Sequence, residues 1–157
     1  MDWRAPPCNR RLPAEAYRRA DRPVFVTVRA AGTTRPFVDI HLNDAVVTTL
    51  LVQRTNAACD VYAYCLMPDH LHLIAAARDN ACMLRFVKHF KGASTNNAWR
   101  CGWRGRLWQP GFYDYVLRNE DAMRQVYWYV LSNPVRVGLV SDADAYPWSG
   151  EPDPYPW

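Results

Sequence analysis

Residues 60 to 67, DVYAYCLM, and 70 to 77, HLHLIAAA, are two apolar runs of β-prone residues with only Pro68 and Asp69 between them. Runs of that length joined by so short a turn predict a β-hairpin, and the hairpin commits the chain to an antiparallel sheet. Other segments fall into place around it. PVFVTVRA (23 to 30), bounded by Pro23 and Gly32, predicts a first strand. From Asn43 or Asp44 the segment DAVVTTLLVQRTNA predicts a first helix, with Val46, Val47, Leu50 and Leu51 at helical spacing. A second helix is expected over 81 to 99, striped by Met83, Phe86, Val87 and Phe90, with Gly92 interrupting or bending it. Residues 105 to 118 look extended but broken at Pro110 and Gly111. A last helix starts at the Asn119 cap with acids in its first turn and is expected to stop near Asn133, before Pro134.

The order β, α, β, β, α, β, α predicts an α+β fold: a ferredoxin-like layer, mainly antiparallel, with helices on one side of the sheet. The 157 residues suit one domain over 23–150, after an irregular arm at 1–22 rich in Pro and Arg and before a short tail at 151–157. The formal charge of +4 hides a split. No acid lies between Asp79 and Asp114, a stretch that holds Arg85, Lys88, Lys91, Arg100, Arg104 and Arg106, whereas after Val140 there are acids and no bases. A basic middle suits a polyanion, although a solvated face is charged in the same way. Every basic residue but Lys88 and Lys91 is arginine, whose fork matches phosphate oxygens.

The five cysteines form no CxxC pair, which argues against a zinc ribbon or a disulfide framework; they read as small buried hydrophobes. No run has the length of a membrane span and the N-terminus lacks a signal-peptide core, so a cytoplasmic protein without membrane contact is expected.

Within the hairpin, His70 and His72 alternate with Leu71 and Leu73 and therefore share one sheet face. Two imidazoles on one rigid strand are half of a divalent-metal site, and equally suit two hydrogen-bonded side chains. HExxH is absent, positions 75 to 77 are alanine where a cupin would carry glutamate, and the chain is too short for a large metallohydrolase barrel. With His41 and His89 the only other histidines, an oxygen or an amide is the better third ligand. On the last helix, 100° per residue puts Met123, Val126, Tyr127, Val130 and Leu131 on the core stripe. Tyr129 lies beyond its edge, with Asn133 one turn on along the same flank. A phenol there can be a nucleophile and an amide can supply a neutral ligand; the pairing also arises by chance on an amphipathic helix.

HLH after a Met-Pro-Asp turn, the basic helix with HFKG, LWQPGFYDYVLR, YVLSNPVRVGLV and a closing YPWSG together resemble the single-tyrosine HUH transposases, and most of all their REP-associated branch. The resemblance runs from about Arg22 to Gly150. It departs from many relatives at Asp69, where they carry Asn. It implies His70, His72 and Asn133 as ligands of Mg2+ or Mn2+ and Tyr129 as nucleophile, so that single-stranded hairpin DNA is nicked and rejoined through a 5′-phosphotyrosine. The basic residues 85, 88, 91, 100, 104 and 106, with Arg136, would then track the DNA backbone, and Trp99, Trp103 and Trp108 would stack bases or fill core. The competing reading is a catalytically inactive module that binds DNA or RNA hairpins; a metal-dependent hydrolase working through water is a third. Monomer and homodimer both remain open.

Overall fold

The structure, a computed structural model, describes residues 11–157; Cys8 and the first ten residues of the expected arm lie outside the described residues. Strands β1 (Val24–Arg29), β2 (Cys59–Met67), β3 (His70–Ala77), β4 (Tyr113–Val116) and β5 (Ser149–Gly150) form one sheet in the order β4-β1-β3-β2-β5. Every pairing is antiparallel. Helices α1 (Ile40–Asn56), α2 (Met83–Arg100) and α3 (Glu120–Arg136) complete the expected order of elements. The hairpin β2–β3 is its centre, and β1 lies against β3 with Thr27 opposite His72 and Arg29 opposite His70.

The helices do not share one side, contrary to the expectation from sequence. Leu42, Val46 and Leu50 of α1 and Phe86, Val87 and Phe90 of α2 pack with Val26, Leu66, Leu71 and Leu73 on one face. Met123, Val126, Tyr127 and Val130 of α3 pack with Phe25, Ala63, Cys65 and Ile74 on the other. Strand order explains the split. The connections β1-α1-β2 and β3-α2-β4 each join parallel strands, but opposite strand senses and opposite directions of travel combine to put both helices on one face under the right-handed rule. From β4 to β5 the strand sense is that of β3 while the travel reverses, so α3 must cross the opposite face. A register shift between Val61 and Ala63 turns Tyr62 and Ala63 both toward α3.

Two helix ends also differ from expectation. α1 starts earlier because Asp39 caps it, its carboxylate accepting from the Leu42 amide at 3.0 Å, while Asn43 is buried and donates to the Phe37 carbonyl. α3 continues through Pro134 to Arg136, and the chain leaves it at Gly138 (φ 76°), where Leu139 N–H donates to the Pro134 carbonyl at 2.8 Å. Pro134 has no N–H for the Val130 carbonyl, a loss that burial of its ring offsets. Gly92 lies within α2 without ending it.

The described part of the expected arm is docked. A 3-10 turn, Ala14–Arg18, carries Tyr17 into the core, where its hydroxyl donates to Asp114 at 2.6 Å. In the tail, Asp153 accepts from Arg54 and from the Val61 amide, and Trp157 lies edge-on to Tyr127. Cys59 and Cys65 are buried as expected, but Cys101 is exposed and Cys82 half-buried. Among the described residues no helix is long and apolar enough to cross a membrane.

Candidate active site

On β3 the even positions face α3, so His70 and His72 stand under that helix while Leu71 and Leu73 face α1 and α2. Their Nε2 atoms converge to 3.0 Å. Each opposite nitrogen has its own partner: His70 Nδ1 lies 2.6 Å from the Asp69 carboxylate and His72 Nδ1 lies 2.8 Å from the Thr27 hydroxyl. Asp69 thus holds the proton of His70 at Nδ1 and turns the lone pair of Nε2 inward. Burial pulls the His70 pKa down, the Asp69 carboxylate opposes it, and Arg29 adds to the lowering. Burial, His70 and Arg29 hold His72 well below the ordinary histidine range. Burial would raise the Asp69 carboxyl, yet its bond to His70 and the charges of His70, Arg29 and Arg35 keep it below the usual value. Both imidazoles are therefore neutral near pH 7 and able to donate to a cation.

Tyr129 reaches this pair from α3. Its ring centroid lies 5.4 Å from that of His72, and Phe25 fills the corner at 5.3 Å from His72 and 6.2 Å from Tyr129. The Arg136 guanidinium lies 5.0 Å over the Tyr129 ring. Tyr127, two residues earlier, is in the core, as the helical spacing predicts. Asn133 is buried one turn beyond Tyr129, and its Nδ2 has no partner among the described residues.

These groups fit a divalent ion. The two Nε2 atoms stand 3.0 Å apart, close enough that one cation would be held by both, and neutral imidazole is a common ligand of divalent metals. No group of three His, Cys, Asp or Glu side chains suited to a metal occurs among the described residues, which leaves an amide or solvent to complete the shell.

The basic residues scatter. Lys91 is committed to the fold: its ammonium donates to the Gln109 and Gly111 carbonyls at 2.7 and 2.6 Å, and burial, Arg11 and Arg106 lower its pKa. Arg85 lines a cavity with Arg18 and His89 at the start of α2, and Lys88 is exposed on the same helix. Arg100, Arg104 and Arg106 are exposed at the end of α2 and after it. Arg136 alone of the basic candidates touches Tyr129 among the described residues. Trp108 is core and bonds to Ser94, while Trp99 is exposed and donates to the Gly105 carbonyl. Thr27, Arg29 and Phe25 were missed from sequence. Their signal is the alternation of Phe25, Thr27 and Arg29 on β1, which points to the histidines only once the β1–β3 register is known.

The family model described as "Transposase IS200 like" matches residues 35–133. The chain belongs to the IS200-like transposase family. This transposase-family chain is 26% identical over 90 residues to the REP-associated tyrosine transposase of Escherichia coli K12, a match covering 57% of the chain and 53% of that relative. It is 32% identical over 74 residues to the ISDra2 transposase TnpA of Deinococcus radiodurans, covering 43% and 52%. The chain thus aligns with about half the length of the curated relatives it matches. Among solved structures, a REP-associated tyrosine transposase bound to a REP hairpin superposes with a TM-score of 0.69 at 22% identity, over 81% of this chain and 74% of that one. A Deinococcus radiodurans R1 protein described as a transposase gives 0.54 at 23%, over 69% and 87%. At these identities the two structures establish the shared α+β fold.

Proposed function

We propose that this chain nicks and rejoins single-stranded hairpin DNA of the REP type through a covalent phosphotyrosine at Tyr129. The observation that carries the reading is the meeting of Tyr129 on α3 with the His70–His72 pair on β3, 5.4 Å between the Tyr129 and His72 rings. The hairpin-bound relative and the REP-associated name of the Escherichia coli relative support the choice of DNA.

In this reading His70, His72 and Asn133 would hold Mg2+ or Mn2+, and the ion would supply Lewis-acid withdrawal of charge from the phosphate. Asp69 and Thr27 keep both imidazoles aimed inward. Phe25 and Arg136 hold the Tyr129 ring. The Tyr129 oxygen gives its proton to solvent and attacks phosphorus, the bond from phosphorus to the 3′ oxygen breaks, and that oxygen takes a proton from solvent to become a free 3′-hydroxyl. The 5′-phosphate stays on Tyr129. Return of a 3′-hydroxyl reverses the step and conserves the phosphodiester energy, so strands are joined as well as cut.

The test is incubation with single-stranded hairpins from the gene's own flanks in Mg2+ or Mn2+, followed by denaturing electrophoresis. An SDS-resistant protein–DNA adduct is expected with the unmodified protein and none with Tyr129→Phe or in EDTA. Binding without an adduct across several hairpins and both metals would replace strand transfer by the inactive hairpin-binding module.

A further inference from the structure

The stretch 107–113, LWQPGFY, is built more firmly than a connecting loop requires. Ala31 N–H donates to the Leu107 carbonyl at 2.9 Å, Gln109 N–H to the Arg29 carbonyl at 2.8 Å, and Lys91 holds the carbonyls of Gln109 and Gly111. Gly111 turns the loop with φ at 70°. Between this loop and β1 lies a cavity of about 350 Å³, lined among others by Arg11, Thr27, Arg29, Gln109, Phe112 and Tyr113. Thr27 stands between it and the histidine pair. Thr27, one of its walls, is the residue bonded to His72, and Arg29, another, stands opposite His70.

The lining specifies what fits. The Arg11 guanidinium lies 4.1 Å over the Phe112 ring and is paired with Asp114, so ring and guanidinium form one fixed stacking surface. Tyr113 adds a second aromatic wall. The Gln109 side chain bonds only at 3.5 Å, to the Gly32 carbonyl, which leaves its amide able to turn toward a better partner. Arg29 is exposed and forms no ion pair within 4.0 Å with the described residues. An aromatic and guanidinium surface takes a base by stacking, an amide carries both a donor and an acceptor for a base edge, and a guanidinium takes a phosphate. Among the described residues the lining carries two guanidinium groups, Arg11 and Arg29, and no carboxylate, which favours an anionic ligand over a cation.

We infer that this cavity is a subsite for the base of one nucleotide adjoining the phosphate attacked by Tyr129, with Gln109 reading the base edge. The inference rests on the strand-transfer reading above. It is tested with Tyr129→Phe protein in Mg2+, titrated with fluorescent flank hairpins in which an abasic nucleotide is walked along the single-stranded part. An abasic nucleotide at one position is expected to weaken binding about tenfold, the scale of base–aromatic stacking. Gln109→Ala and Gln109→Glu are expected to change the preference among the four bases at that position and at no other. A walk without a position-specific loss, or Gln109 variants that keep the parent preference everywhere, overturns the subsite even where the unmodified protein forms its adduct. Absence of the adduct, with a Gln109-dependent base preference retained, overturns strand transfer and leaves the base-binding cavity standing. Failure to bind any of the oligonucleotides overturns both.

Discussion

Two imidazoles that face each other must be aimed by their outer nitrogens, and here the aim comes from different elements: Asp69 in the hairpin turn for His70, Thr27 on the neighbouring strand for His72. Thr27→Val keeps the shape and removes the hydroxyl, so a roughly 10–100-fold loss of Mn2+ affinity is expected by isothermal titration, with the thermal midpoint of the cation-free protein nearly unchanged. Asp69→Asn, which retains an acceptor for His70, should lose less than Asp69→Ala in the same titration. A different single residue governs the docking of the lead-in. Asp114 is 3% exposed and accepts from both Tyr17 and Arg11. Asp114→Ala leaves the Tyr17 hydroxyl buried without an acceptor and should cost about 1–3 kcal/mol in urea unfolding.

Among the elements, α3 decides the site. Its Asn119 cap accepts from the Ala122 amide at 2.8 Å, and Asn119→Ala should remove about 1 kcal/mol of stability by denaturant titration. Tyr129, more than two turns further on, keeps its place, so adduct formation should persist at temperatures where the variant is folded. The elements were readable from sequence wherever periodicity was strong: β3 is found at the expected residues, and β1 and β2 within one residue at each end. Helical spacing also separated Tyr129 from Tyr127. What could not be read was the face of the sheet on which α3 lies, because that follows from strand order and crossover hand, and neither is encoded within any one segment. The same ignorance of register hid Thr27, Arg29 and Phe25. Local propensity misjudged Pro134, because burial of its ring in the folded chain is a tertiary contribution that no local preference contains.

At the level of the whole molecule, buried phenols and thiols predict how stability responds to alkali. Burial and the Asp114 bond push Tyr17 up to about 12, and burial with the charge of Asp60 does the same for Tyr62. Burial alone takes the Cys65 thiol to about 12. In each case the folded chain keeps a proton that the unfolded chain has released, so the contribution is complete below the unfolded pKa, near 9 for the thiol and 10 for the phenols, and is lost as pH rises toward 12. Each phenol should remove on the order of 2–3 kcal/mol across that interval. Urea midpoints measured from pH 8 to 11.5 should fall steeply above pH 10, together with a further rise in tyrosinate absorbance on unfolding from the buried phenols.

The hairpin that carries both histidines closes through neighbours in the chain, whereas α3 packs on strands more than forty residues upstream. Local pairs form before distant ones because closing a longer loop costs more entropy. Pulsed hydrogen exchange should therefore protect amides of β2 and β3 ahead of those of α3. A chain emerging in that order holds its imidazoles in place while the phenol is still at large, so that under the strand-transfer proposal an unfinished molecule would be unable to cut the DNA around it.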